Sequence, residues 1–274
     1  MARKVPTVLT MWDLRKICYE AEPCTYATST AIGPLKPRPS YDLTGLELHF
    51  IFEDESRDYR FERERLFWSR DGQHWYEEFP EYLASTAKPV YLIHHLLSER
   101  DIKGASTLIV DLEKEAVTLI DMKIGTILSN RDVDRRILFG KFHNGVISHQ
   151  LTNDLSGKSM DWMLTENFKI HQLYENWSCC AFVSPPPEEV PEWRDFFFTF
   201  NPTKYVRLRE NLYLISFLAP GASGMEGCML MDLKAMRAVG SVFGIDRQDI
   251  LKSYTFGAQG AFAPVGFSGK YMVE

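Results

Sequence analysis

The sequence predicts an all-β protein of antiparallel strands closed into barrels, internally duplicated, with short peripheral helices. Three observations predict it. Apolar and polar residues alternate with a period of two from residue 43 onward, as in half-buried strands. Helical periodicity is confined to two short stretches. Two unrelated landmarks recur in the same order in the two halves of the chain, which points to a repeated unit.

Taken in order, residues 1–39 form an N-terminal extension in which Thr10 to Glu20 reads as a short amphipathic helix, with Thr10 as N-cap and Asp13 three residues on. Leu46, Leu48, Phe50 and Phe52 then alternate with Glu47, His49, Ile51 and Glu53. Tyr59, Phe61 and Arg63 alternate in the same way with Arg60, Glu62 and Glu64. Asp71-Gly72 is a hairpin signal between Leu66–Arg70 and Gln73–Glu78. Val90–Leu97, Ser106–Leu112 and Ala116–Met122 are further β-rich runs, separated by Lys103-Gly104 and Glu113–Glu115. Pro185-Pro186-Pro187 with Pro191 marks a loop, Asp246 to Lys252 a second short helix, and Ser253 to Gly269, with four glycines and Pro264, a loop-rich tail.

Asp42-Leu43-Thr44-Gly45 opens the first strand, and Asp154-Leu155-Ser156-Gly157 recurs 112 residues later before a second alternating run. Tyr91-Leu92-Ile93 leads to Asp111-Leu112, and Tyr213-Leu214-Ile215 leads to Asp232-Leu233, with Tyr-to-Asp spacings of 20 and 19 residues. These landmarks place a first β unit at 40–128, a connector at 129–149, a second unit at 150–252 and a tail at 253–274. Consecutive antiparallel strands must hide their edges, and closure into a barrel does so. Two small barrels packed together and one larger barrel built from both halves satisfy this equally.

The 274 residues carry a net charge of −6, with 45% hydrophobic and 25% charged residues, the composition of an ordinary globular chain. An acidic balance lacks the footprint of a nucleic-acid binder, and Arg131, Arg135 and Arg136 are interrupted by Asp132 and Asp134. Five cysteines without a C-x-x-C pair read as free thiols in a reducing compartment, and the N-terminus lacks a signal-peptide h-region, so the expected location is cytoplasmic. No long apolar run suggests a membrane partner. Seven histidines with neither H-x-H nor H-E-x-x-H spacing give no metal site, and the absence of a P-loop or Rossmann fingerprint gives no cofactor.

The aromatic content, 18 Phe, 12 Tyr and 6 Trp, suits a barrel lined for an apolar ligand. Trp162, Trp177, Phe197, Phe200 and Tyr213 fall in the second half. In a regular strand His171 and Trp177 share a face and Tyr174 takes the other, which makes His171 an acid/base candidate beside an apolar wall. The alternative for His171 is a satisfied core histidine. His149 reads as an acid/base at the barrel mouth or as a structural partner of the Asp154 turn. Of the adjacent His94 and His95 one points inward, and the neighbours Leu92 and Leu96 favour His94. Glu47, His49, Arg60, Glu62, Tyr76 and Glu77 include the arginine, tyrosine and carboxylate able to clamp and decarboxylate a hydroxylated aromatic acid, but their alternation marks a solvent face.

The segment His149 to Lys158, H-x-x-T-x-D-L-x-G-K, followed by Trp162, His171 and Tyr174, resembles the molybdenum cofactor biosynthesis protein F family; the His171-to-Tyr174 spacing is one residue wider than the family's. Leu43-Thr44-Gly45, Tyr59-Arg60-Phe61 and Trp68 extend the resemblance into the first half. It implies a duplicated calycin-like (lipocalin-related) β-barrel, a group that holds carriers, decarboxylases and cyclases. With the residues above it gives the expected function: a cofactor-independent enzyme of lyase, isomerase or cyclase type, moving protons on a small apolar or aromatic molecule. The expected catalytic residues are His171, Tyr174 and His149, with Trp162, Trp177, Tyr213 and His94 around the substrate. The alternatives are a non-catalytic carrier of such a molecule and an accessory protein in molybdenum cofactor metabolism; a homodimer is compatible with either.

Overall fold

The computed structural model describes residues 35–100, 103–127, 131–165, 169–183, 198–219, 224–245 and 251–263. Within them the chain is antiparallel β-structure, and helix is confined to one 3-10 turn, Ser98–Arg100. The first half supplies β1 (Glu47–Phe52), β2 (Ser56–Phe61), β3 (Leu66–Ser69), β4 (Tyr76–Glu78), β5 (Glu81–Ala84), β6 (Val90–Leu96), β7 (Gly104–Asp111), β8 (Ala116–Ile124) and β9 (Val133–Lys141). The second supplies β10 (Gln150–Leu151), β11 (Ser159–Met163), β12 (Lys169–Tyr174), β13 (Ser178–Val183), β14 (Phe198–Arg209), β15 (Leu212–Ala219), β16 (Met225–Asp232), β17 (Arg237–Ile245) and β18 (Leu251–Ala263).

The two halves form separate sheets. In the second, β11 pairs β18 and β14 pairs β15, so eight strands, β11 to β18, close into a barrel without an edge. The first sheet runs β4-β3-β2-β1-β9-β8-β7-β6-β5 and opens only between β4 and β5, which are joined in the chain by Phe79-Pro80. Proline has no N–H for a ladder. The strand that is continuous as β14 is here divided in two at Pro80, so both halves share one eight-position plan.

The sequence landmarks meet in space. Tyr91 donates to Asp42 at 3.0 Å, and Tyr213 donates to Asp154 at 3.2 Å. Gly45 and Gly157 both take the left-handed region, with φ of 86° and 76°, where a side chain would be strained. Their N–H groups donate to the carbonyls of Phe61 and Tyr174 respectively. Asp111 and Asp232 end equivalent strands, and each accepts from the backbone N–H groups two and three residues on, closing the following turn.

The barrels pack side by side. Leu92, Leu96, Ile109 and Ile120 from the outside of the first bury against Val206, Leu214, Leu230, Val239 and Phe243 from the outside of the second. β6, β7, β8, β16 and β17 are thereby buried on nearly every residue, and their alternation of apolar and polar positions disappears. Polar bonds cross the same seam. Arg209 grips Asp111, Thr86 bonds Asp232 at 2.7 Å, and Arg135 pairs with the buried Glu226.

β9 falls within 129–149 and pairs with β1 and β8. The stretch from Ser253, expected to be loop, is strand as far as Ala263. Its glycines serve close approach rather than a turn: a Cβ on Gly260 would meet the Trp162 ring at 2.5 Å, and one on Gly257 would collide with the Leu35 carbonyl. Of the helix expected over Asp246 to Lys252, Leu251 and Lys252 lie in β18 and the rest lies outside the described residues. The Thr10–Glu20 helix, the Pro185–Pro191 loop and Phe197 also lie outside them. No described helix is long and apolar enough to cross a membrane.

Candidate functional site

The interior of the first barrel is apolar at one end and charged at the other. β2 points Arg57, Tyr59 and Phe61 inward, because these alternate residues are buried while Arg60 is exposed. Tyr59 stacks on Trp68 of β3 with ring centroids 6.4 Å apart, and Trp68 stacks on Tyr76 of β4 at 5.0 Å. The Arg57 guanidinium lies 5.3 Å from the centre of the Trp68 ring. β4 adds Glu78, β6 adds His95, β7 adds Ser106 and β8 adds Asp121. Arg57, Glu78, His95 and Ser106 are fully buried, and Tyr59 is 1% exposed.

Part of this cluster is well held. Arg57 Nε donates to Glu55 at 2.6 Å and Nη2 to Asp121 at 3.0 Å, and Arg100 also donates to Asp121 at 2.8 Å. Glu78 Oε1 accepts from the Ser98 N–H at 2.8 Å, the Ser98 hydroxyl at 2.7 Å and the Trp68 indole at 3.3 Å. Five buried atoms of the same interior make no well-formed hydrogen bond: Arg57 Nη1, Tyr59 OH, Glu78 Oε2, His95 Nε2 and Ser106 Oγ; of these, the Tyr59 hydroxyl lies within the influence of the Arg57 guanidinium. Buried polar groups are nearly always bonded, so such a concentration marks a place shaped for polar groups from elsewhere.

Burial sets the protonation states. It pushes the Glu78 carboxyl up to about 7 despite the donors of Ser98 and Trp68, and it pushes the Tyr59 phenol up to about 12. It also pushes His95 down to about 4, so the imidazole is neutral. His95 Nδ1 bonds the Leu96 carbonyl at 2.9 Å, which requires the proton there and leaves Nε2 as an acceptor. The site therefore combines a fixed cation, a neutral acceptor and a carboxyl that exchanges its proton near pH 7.

The second barrel is an internal control. Across β6, β7 and β8 the residues His95, Ser106 and Asp121 are in register; the matching rung of β15, β16 and β17 is Phe217, Gly227 and Val242. The Phe217 ring occupies the space a Cβ on Gly227 would need, 2.5 Å away. Opposite Phe50 and Leu48 stand Arg57 and Tyr59; opposite Trp162 and Met160 stand Ile170 and Gln172. Glu78, paired with Leu66, has its counterpart in Asn201, paired with Cys179. At these positions one duplicate carries neutral side chains and the other keeps charge inside.

No family model and no curated protein matches this chain. Among solved structures, one that is similar is a protein of unknown function from the DUF3598 family of Nostoc punctiforme. It is 8% identical, with a TM-score of 0.35, and the match covers 81% of this chain and 97% of that one.

The residues singled out from the sequence are dispersed. Tyr174 and Trp162 lie inside the second barrel in a closed network: the indole donates to the Tyr174 hydroxyl at 2.8 Å, which donates to Gln172 at 2.8 Å. His171 is on the outer face, 2.6 Å from Asp161 on the neighbouring strand. The first barrel has the same outer pair in reversed order, His49 and Asp58 at 2.7 Å, so this is a repeated cross-strand contact. Trp177 is not on the His171 strand face. β12 ends at Tyr174, and Trp177 sits in the turn that follows, 72% exposed. Phe200 is exposed as well, and Tyr213 serves the Asp154 turn.

His149 is buried, but its partner is Thr118 of the first barrel at 2.8 Å rather than the Asp154 turn, and its Nε2 lies 3.9 Å from Asp111. His94 points into the seam, bonded to Thr107 and Ser253 at 2.9 Å each; His95 is the histidine inside the barrel. Glu47, His49, Arg60, Glu62 and Glu77 are exposed, and Tyr76 alone of that set turns inward, against Trp68. The candidates named from the sequence lie mostly in the second half and include neither Arg57 nor Glu78. Carrying the Tyr59–Phe61 alternation back by two residues would have found Arg57. A cleft of about 210 Å³ also opens at the seam, between Leu35, Ser85, Leu230 and Arg237. It is smaller than the pockets of about 300–1,000 Å³ that hold drug-sized ligands.

A pH dependence of stability follows from two carboxyls. Burial raises Glu78, and also Glu226 at the seam, from 4.5 to about 7. The folded protein then keeps protons that the unfolded chain releases between these values. The buried, neutral His94 and His95 act in the opposite sense over this range, so the test is a difference: the stability of wild type relative to Glu226→Gln is expected to fall as pH rises from 4.5 to 7 and to level off above. Urea midpoints measured between pH 5 and 8 test this. A difference between the two proteins that does not change with pH would mean that Glu226 ionises in the fold as readily as in the unfolded chain.

Proposed function

We propose that the protein binds a small apolar or aromatic organic molecule inside the first barrel and exchanges a proton with it through Glu78, as a cofactor-independent enzyme of the lyase, isomerase or cyclase type. The observation that carries this reading is the division of labour within the Glu78 carboxyl. Three donors fix Oε1, while Oε2 is buried, unpartnered and on the inward face. An oriented carboxyl that titrates near neutral pH is what general acid–base catalysis needs. Trp68, Tyr59, Phe50 and Phe61 supply the apolar wall, and the barrel excludes water from the transfer.

The test needs no knowledge of the substrate. Protein is incubated with a small-molecule extract of its own cells in deuterated water, and the extract is searched by mass spectrometry for compounds that gain deuterium. Wild type is expected to label at least one compound, and the isosteric Glu78→Gln variant to lose that labelling while keeping the fold. Labelling unchanged in Glu78→Gln would remove Glu78 from the mechanism. Labelling of nothing, together with a small molecule retained in native mass spectra, would replace the enzyme by a carrier.

A further inference from the structure

Arg57 carries more than the fold asks of it. Its Nε and Nη2 are committed to Glu55 and Asp121, yet Nη1 is buried without a well-formed hydrogen bond, on the same interior face as the neighbouring Tyr59 hydroxyl with which the guanidinium interacts. A guanidinium presents planar N–H pairs that match the two oxygens of a carboxylate. The charges around it are unequal: four guanidinium groups (Arg57, Arg70, Arg100 and Arg136) face three carboxylates (Glu55, Glu99 and Asp121), with Glu78 neutral while it keeps its proton. One uncompensated positive charge suits a monoanion and falls short of a phosphate dianion. The surface against Arg57 is the face of Trp68, with Tyr59 stacked beside it.

We infer that the molecule taken by the first barrel is an aromatic monocarboxylate, its carboxylate held by Arg57 Nη1 and the Tyr59 hydroxyl and its ring packed among Phe50, Tyr59 and Trp68. This rests on the reading that the first barrel binds a small molecule, and it narrows that reading to a chemical class. The cation does not come from outside the fold, and the second barrel, with Ile170 and Gln172 at the equivalent positions, has no counterpart for it.

The probes are benzoate and its neutral isostere benzamide, titrated into protein labelled with nitrogen-15 at tryptophan. The indole resonance of Trp68 is assigned from a Trp68→Phe variant. Benzoate is expected to shift that resonance saturably, with benzamide at least tenfold weaker, and Arg57→Lys, which keeps charge but loses the planar fork, should weaken benzoate about tenfold. Equal binding of benzamide and benzoate would overturn the carboxylate class and leave a small-molecule barrel standing. A Trp68 resonance unmoved by either probe would overturn both. A response confined to Trp162 would place binding in the second barrel and overturn the assignment. The comparison of the two probes on wild type decides the matter even if Arg57→Lys fails to fold.

Discussion

Arg57→Met is expected to destabilise the protein by about 3 kcal/mol, the usual cost of removing one partner from a buried ion pair. Methionine fills much of the same volume against Trp68, so little of the loss comes from packing. It comes from Asp121, 6% exposed, which loses one of its cationic partners, and from the Glu55 carboxylate. Adding Asp121→Asn to the same chain should therefore recover part of the stability, so the double variant should cost less than the sum of its parts. Chemical denaturation of the four chains of this cycle measures it. A loss within about 0.5 kcal/mol for Arg57→Met would carry a different meaning. Arg100 and Arg136 would then suffice for Asp121, and the buried arginine would be present for a ligand alone.

The fold was legible where one face of a strand meets water. Leu48, Phe50 and Phe52 alternate because Glu47, His49 and Ile51 lie outside, and the Asp42 and Asp154 turns repeat because each must accept a tyrosine hydroxyl. Legibility failed where a strand is buried on both sides. In β6 every residue is buried, so His94 and His95 could not be told apart by their neighbours: one faces the seam between barrels and the other the interior. The tail departs from the expected loop for a related reason. Glycine usually signals a turn, but Gly257 and Gly260 in β18 make room for the Leu35 backbone and the Trp162 ring, partners remote in sequence.

The candidate site escaped the sequence because its charged members look like surface residues. Arg57 stands among Glu55, Arg60, Glu62 and Arg63, and Glu78 follows Glu77, so composition alone marks both segments as solvated. Only the parity of Arg57 with Tyr59 and Phe61, and of Glu78 with Tyr76, distinguishes inward from outward. His171 escaped in the opposite sense. Its neighbours Ile170 and Gln172 are buried, but the imidazole is on the other face, where the same His–Asp contact recurs in both barrels.

Trp162→Ala is expected to cost 3–5 kcal/mol, the range of about 3–5 kcal/mol typical of deleting a large aromatic from a core. The ring is fully buried, lies against Gly260, and donates to Tyr174, so its removal opens a cavity and releases one bond of a closed network. Trp177→Ala, by contrast, should change stability by no more than about 0.5 kcal/mol, since an exposed turn residue leaves no cavity. Thermal or urea unfolding of the two variants separates these cases directly. The cavity also tests the difference between the barrels. Opened within the core cluster that includes Met160, Ile170 and Tyr174, it should admit benzene and reject benzoate, because that cluster of described residues contains no guanidinium. A Trp162→Ala protein that bound benzoate in the second barrel would mean that aromatic walls alone suffice for the anion. Arg57 would then lose its part in choosing the ligand.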